Sequence, residues 1–86
     1  MPEICRFYNM IIYMNFNDHN PPHIHVKYGD IDCSISITTG EKIIGDIPKK
    51  QLVIIQAWIE INKNALTFMW DNRFKEGNLF KLPPLV

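Results

Sequence analysis

The sequence predicts an α+β domain: a small antiparallel sheet of four or five strands, built from two hairpins, with one long C-terminal helix packed on one face. Two observations carry this prediction. In the first half of the chain, short aromatic and β-branched runs are separated by two-residue turns, as in hairpins. In the second half, apolar residues recur every three or four positions, which is the period of a helical face.

The first predicted hairpin joins residues 4–8 to residues 11–16 through Asn9-Met10. Asparagine tolerates the left-handed backbone that a two-residue turn needs, whereas methionine suits the second turn position less well. We therefore expect a hairpin here, with a turn of unusual composition.

The second predicted hairpin joins residues 23–28 to residues 31–38 through Gly29-Asp30. Glycine in the first central position suits a type II′ turn. A two-residue loop places Tyr28 opposite Ile31, and directly opposed residues share a face of the sheet. The predicted apolar pairs are then Val26 with Cys33 and Ile24 with Ile35, and the polar pairs are Lys27 with Asp32, His25 with Ser34 and His23 with Ser36. A slip of one residue would mix these two sets, so this register is strongly favoured.

A short fifth strand is predicted at residues 41–45. Pro48 suits the first turn of the helix that follows, because its missing N–H costs nothing there. The helical stripe consists of Leu52, Ile55, Ile59, Asn62, Leu66 and Met69. We expect the helix to reach about Phe74 and to end at Gly77, a favoured C-cap residue, with a break near residues 62–64 as the alternative.

Residues 1–77 therefore form a single α+β domain, and residues 78–86 form an apolar C-terminal tail. Pro83-Pro84 favours an extended tail, which either docks on the domain or pairs with another chain. A length of 86 residues fits one domain with a small core.

Bulk composition excludes several classes of protein. Nine basic residues balance nine acidic ones, so the net charge provides no overall electrostatic attraction to nucleic acid. The longest apolar run, Met10 to Met14, has five residues, far too few to span a bilayer. No basic segment followed by an apolar run marks a secretory signal, and we expect a cytoplasmic protein with reduced thiols at Cys5 and Cys33.

The polar face of the second hairpin carries the candidate chemistry. All three histidines lie within seven residues, and two of them, His23 and His25, share this face. Across the hairpin, Ser34 and Ser36 are candidate substrate-binding residues, and Lys27 lies on the same side. Histidine changes charge near neutral pH and is the commonest metal ligand, so this face is the predicted site.

The nine residues from Asp18 to Val26 read D-H-N-P-P-H-I-H-V. This element resembles the hallmark of a family of small bacterial proteins, the domain of unknown function numbered four-one-six-zero. The resemblance extends over about residues 4–70 and includes Trp70. The Asn9-Met10 turn and the tail after Gly77 depart from the family pattern. The resemblance implies a partner in a two-gene, toxin–antitoxin-like arrangement, and it carries over no enzyme activity.

Acid–base catalysis is one hypothesis for this element, with RNA phosphodiester cleavage as its concrete form. His23 and His25 are the candidate general base and general acid. Lys27 is placed to stabilise a phosphate, and Asp18 to orient His19 or His23. All five are candidate catalytic residues.

A zinc site is the second hypothesis. His23 and His25 alternate along a strand, so their imidazoles point to the same side. His19 or Asp18 from the preceding loop would complete three ligands, with water in the fourth position. The alternative ligand set is His19, His23 and His25; otherwise we expect no cofactor.

Two further interpretations remain open. Asp18, Asn20 and the two prolines are turn-forming residues, and Pro22 with a cis bond would suit a purely structural loop. Alternatively, the wide apolar stripe of the helix indicates a protein-binding module, either a homo-oligomer or the partner of a cognate small protein. Within that stripe, Asn62 is placed to set the register of a helical interface.

Overall fold

A computed structural model describes residues 3–15, 17–74 and 79–85. Over these residues the chain forms a five-stranded sheet followed by two helices. The strands are β1 (Glu3–Phe7), β2 (Met10–Tyr13), β3 (His23–Tyr28), β4 (Ile31–Ser36) and β5 (Lys42–Ile44), and the helices are α1 (Lys49–Ile61) and α2 (Lys63–Asp71). The α+β class and the fifth strand are confirmed.

The sheet is a simple antiparallel meander in the order β1-β2-β3-β4-β5. The two predicted hairpins are therefore joined edge to edge by pairing of β2 with β3. That pairing places Tyr13 opposite His25 and Ile11 opposite Lys27. Because opposed residues share a face, Tyr13 belongs to the histidine face of the sheet.

The turn of the first hairpin differs from the prediction by one residue. Phe7 pairs with Met10, so the turn consists of Tyr8 and Asn9, with φ values of 50° and 61°. Positive φ at both central positions is the mark of a type I′ turn. Met10 is fully buried in β2, which explains why it belongs to the strand. The predicted end of that strand, Phe16, lies outside the described residues.

The second hairpin has the predicted turn and the predicted register. Gly29 has a φ of 60°, and all six predicted residue pairs of the hairpin are observed: Tyr28 with Ile31, Lys27 with Asp32, Val26 with Cys33, His25 with Ser34, Ile24 with Ile35 and His23 with Ser36. The alternation of apolar and polar residues along both strands determines this register, because a slip of one residue would mix the two faces.

The prediction of one long helix is not confirmed, because the helical segment is broken at Asn62. This residue has φ −104° and ψ 17°, and its Nδ2 donates to the carbonyl of Trp58 at 2.9 Å. A side chain that bonds a carbonyl of the preceding turn competes with the helical ladder. Asn72 closes α2 in the same way, through the carbonyl of Phe68, so α2 ends before Phe74. The predicted cap, Gly77, lies outside the described residues.

One hydrophobic core joins the sheet to both helices. It contains residues from β1 to β4 together with six helical side chains: Ile55, Trp58, Ile59, Leu66, Met69 and Trp70. Neither helix in the described part of the chain is long and apolar enough to cross a membrane.

The described part of the tail docks on this domain. The N–H of Leu82 donates to the carbonyl of Ile4 at 2.7 Å, and the indole N–H of Trp58 donates to the carbonyl of Pro83 at 2.9 Å. Leu79, Leu82 and Leu85 pack against the core. Of the two predicted alternatives for the tail, docking on its own chain is therefore observed.

Cys5 and Cys33 are free, buried thiols. They lie on β1 and β4, with two strands between them. Neighbouring strands are about 4.8 Å apart, so the two Cα atoms are about 14 Å apart, beyond the reach of a disulfide. Burial raises the pKa of both thiols, which keeps them in the unreactive protonated form at neutral pH.

Candidate functional site

The carboxylate of Asp18 is the meeting point of two imidazoles. His25 Nε2 lies 2.9 Å from one carboxylate oxygen and 3.0 Å from the other. His23 Nε2 lies 3.7 Å from Oδ1. The three side chains are sheltered but reachable, with exposed fractions of 12% for Asp18, 13% for His23 and 21% for His25. We call these three residues the Asp-His-His cluster.

Hydrogen bonds to acceptor-only groups assign the tautomers of the two imidazoles. An ionised carboxylate can only accept, so His25 Nε2 carries a hydrogen and donates it to Asp18. His23 Nδ1 lies 2.7 Å from the carbonyl oxygen of Pro21, and that carbonyl also can only accept. In neutral His23 the hydrogen is therefore on Nδ1, and the lone pair on Nε2 faces Asp18.

Rings from neighbouring elements hold the imidazoles in place. Tyr13 stacks on His25 with ring centroids 4.9 Å apart and an interplanar angle of 13°. Trp70 of α2 contacts His23 at 5.1 Å. Burial, followed by the negative charges of Asp32 and Asp18, raises the pKa of Tyr13. Its phenol therefore stays neutral at physiological pH.

A buried arginine ties the Asp18 loop to the end of α2. Arg73 Nε and Nη2 donate to the carbonyl of Asp18 at 3.0 and 2.8 Å, and Nη1 donates to the carbonyl of Trp70 at 2.6 Å. The guanidinium carbon also lies 3.8 Å from the centre of the Trp70 ring. In addition, the backbone N–H of Asn15 donates to Asp18 Oδ2 at 3.0 Å. Arg73 thus holds the backbone of Asp18, and Asn15 holds its carboxylate.

A cleft of about 200 Å³ borders the cluster at His23. Its walls are formed by seven residues: His19, Asn20, Pro21, His23, Ser34, and Ile43 and Ile44 of β5. The side chain of Ile44 is 66% exposed. The cleft therefore offers a mostly apolar recess, with a few polar groups, next to the imidazole of His23.

The Asp-His-His cluster lies within a segment of the chain that matches a known protein family. The model of DUF4160, a domain of unknown function, matches residues 9–71. The chain belongs to this family. The match covers well over half of the chain, from the turn before β2 to the end of α2, and includes the whole Asp-His-His cluster. No curated protein and no solved structure matches the chain.

The other predicted site residues of this DUF4160 domain take separate positions. His19 is exposed and lines the cleft, but it is not a member of the cluster. Ser34 also lines the cleft, whereas the hydroxyl of Ser36 accepts the backbone N–H of Thr39 and supports a turn. Lys27 is exposed and lies outside the residues that line the cleft. The loop contains a cis peptide bond before Pro21, whereas the structural interpretation of the sequence considered one at Pro22.

Three residues that contact the DUF4160 site were not predicted as parts of it. To predict the contact of Tyr13 with His25, one would need to know that β2 pairs with β3. The sequence of the nine-residue connection between these strands does not define that pairing. Trp70 is a core aromatic, as its apolar periodicity indicates, but its contact with His23 has no local signal. Arg73 bonds a residue 55 positions earlier. Its place, just after a helix whose carbonyls need donors, is the one hint in the sequence.

Proposed function

We propose that this DUF4160 protein is a cytoplasmic component of a toxin–antitoxin-like pair, and that its histidine site cleaves RNA phosphodiester bonds. One observation carries the proposal: a carboxylate and two imidazoles converge beside a cleft. The family's two-gene context, an inference from the resemblance, favours RNA as the substrate. Such an activity would make this chain the toxin of the pair.

The proposed reaction is transesterification within RNA. The 2′-hydroxyl loses its proton to the Asp-His-His cluster, and its oxygen attacks phosphorus. The bond from phosphorus to the 5′-oxygen then breaks, and that oxygen takes a proton. His23 belongs to the cluster and also lines the cleft, so it is placed to accept the proton of the 2′-hydroxyl. His19 is exposed and also lines the cleft, and we assign it to protonate the leaving oxygen.

Substitution of His23 by alanine tests this reaction. We expect a loss of about 10²–10⁴-fold in RNA cleavage, the usual contribution of a general acid or base, together with loss of growth inhibition on induced expression. Lys50→Ala, at an exposed position at the start of α1, is the control and should behave as wild type. A folded His23→Ala protein with unchanged cleavage, or wild-type protein that cleaves no RNA, would contradict the proposal.

A second candidate function is a binding module, favoured by an exposed stripe on α1. Val53 and Ile61 are 55% and 71% exposed, and Ala57 between them is exposed as well. Spacings of four residues place all three on one helical face. A neutral chain with an apolar, self-complementary stripe suits an isologous contact with a second copy of itself.

Mass in solution tests the stripe. We expect a dimer by sedimentation equilibrium and a monomer for Ile61→Lys, because burying an unpaired ammonium group is costly. Ile44→Lys alters another exposed isoleucine, on β5, and should stay dimeric. A monomeric wild-type chain that becomes a heterodimer only with its cognate small protein would assign the stripe to that partner and overturn the homodimer.

A further inference from the structure

We propose that Asp18, His23 and His25 bind a divalent transition metal ion, with zinc as the natural occupant. The inference concerns the same cluster as the proposed function and deepens it, because an ion held by these three side chains would supply a metal-bound hydroxide as the base for the 2′-hydroxyl, in place of a free imidazole. Metal binding itself does not depend on RNA being the substrate, so the two can fail separately.

The distances within the cluster suit a tetrahedral ion. One ligand atom from each of the three side chains can be chosen so that all lie within 4.8 Å of one another. Zinc bonds of about 2.0–2.2 Å place tetrahedral ligand atoms about 3.4 Å apart. Asp18 Oδ1 lies 3.0 Å from His25 Nε2 and 3.7 Å from His23 Nε2, on either side of that value. Side-chain shifts of about half an ångström would bring both to the tetrahedral edge.

The hydrogen-bond pattern favours a cation between His23 and Asp18. When His23 is neutral, its Nε2 is an acceptor that lies 3.7 Å from a second acceptor, Asp18 Oδ1, too far for a direct hydrogen bond. A cation between the two atoms would contact both. His25 takes part by moving its hydrogen from Nε2 to Nδ1, which leaves the Nε2 lone pair for the ion.

The surroundings of the cluster resemble the outer shell of a metal site. Metal-binding histidines usually donate their second ring N–H to a carbonyl or carboxylate, and His23 does so to Pro21. The backbone N–H of Asn15 binds Asp18 Oδ2, which leaves Oδ1 as the oxygen nearest His23. Arg73 holds the backbone of the same aspartate. These contacts therefore hold the ligands near their binding positions before an ion binds.

The donor set selects the kind of ion. Two imidazole nitrogens disfavour calcium and magnesium, which take oxygen ligands. Two histidines and a carboxylate are the protein ligands of hydrolytic zinc sites, where water fills the fourth position. The same set also serves iron(II), but zinc binds N and O ligands more tightly in the usual order of divalent metals. Zinc lowers the pKa of bound water to about 7, so the bound hydroxide would be available as a base at neutral pH.

Calorimetric titration of tag-free, chelator-treated protein with zinc chloride tests the site directly. We expect one zinc ion per chain and a rise in the melting temperature, because an ion that binds the folded state stabilises it. His23→Ala, His25→Ala and Asp18→Asn should each weaken zinc binding by more than the ~10–100-fold typical of changes outside the ligand shell. His19→Ala is the matched control: it removes an imidazole from the same loop and should bind zinc as wild type does.

The competing outcomes separate the possibilities. No zinc binding by folded wild-type protein overturns the metal site, and RNA cleavage that persists in chelator would then leave the proposed function standing. Conversely, zinc binding without RNA cleavage supports the metal site and overturns the RNA substrate. Loss of binding in His19→Ala with retention in Asp18→Asn overturns this ligand set in favour of three histidines. Tighter binding of iron(II) than of zinc overturns the choice of ion.

If a ligand variant fails to fold, cobalt(II) on the wild-type protein keeps the test decisive. Three protein ligands and water around cobalt produce the intense visible absorption of a tetrahedral site. Weak bands typical of six-coordinate cobalt would overturn the tetrahedral site.

Discussion

Trp58→Ala is expected to lower the free energy of unfolding by about 3–5 kcal/mol, the usual cost of removing a large buried aromatic side chain. A domain of this size has a stability of about 4–13 kcal/mol, so a large part of it would be lost. The side chain is fully buried and contacts Phe7 of β1 at a ring-centroid distance of 6.0 Å. Its indole N–H also holds Pro83 of the tail. One side chain thus links sheet, helix and tail.

Urea unfolding monitored by far-UV circular dichroism measures this loss of stability. Trp58→Phe separates the contribution of packing from that of the hydrogen bond to Pro83. Phenylalanine keeps most of the packing but leaves the carbonyl of Pro83 without its donor, so we expect a loss of about 1–3 kcal/mol. Val53→Ala, at an exposed position on the same helix, should change stability little. If Trp58→Ala cost less than Trp58→Phe, the assignment of Trp58 as the link between core and tail would be wrong.

How far the sequence predicts this fold depends on how local each signal is. The second hairpin was predicted residue by residue, because Gly29 defines the turn and alternation then sorts every pair. The first hairpin was displaced by one residue. Asn9 indicates a turn, but the local sequence does not show which neighbour shares it. Tyr8 takes the other turn position with a positive φ, because Met10 is buried in the core. The sequence does not decide between one continuous helix and a break at Asn62, because Asn62 fits the three- and four-residue spacing of the apolar residues before and after it.

The site was located by sequence, but its geometry was not. Alternation along β3 correctly placed His23 and His25 on one side. Asp18 was predicted as one of several loop residues, and the structure makes it the contact shared by both imidazoles. That difference follows from the path of a nine-residue connection between β2 and β3, which side-chain patterns do not define. As a result, Asp18 replaces His19 in the proposed ligand set.

Arg73→Met is expected to lower the free energy of unfolding by about 1–3 kcal/mol, because it leaves the carbonyl of Asp18 without its two donors. Methionine keeps much of the volume and the apolar stem, so the change tests the guanidinium group. Arg73→Lys should restore only part of the loss, since an ammonium group cannot reproduce the planar fork that bonds Asp18 and Trp70 together.

The site provides a second measurement for Arg73, which lies just beyond the residues matched by the DUF4160 family model. If its role is to position Asp18, Arg73→Met should raise the zinc dissociation constant by about 10–100-fold, as loss of a supporting contact usually does. Amide hydrogen exchange should accelerate at Asn15 and Asp18 more than in β3. Arg6→Met is the matched control: it removes an exposed arginine paired with Glu3 and should leave zinc affinity unchanged. Loss of stability in Arg73→Met with wild-type zinc affinity would restrict this arginine to a role in folding.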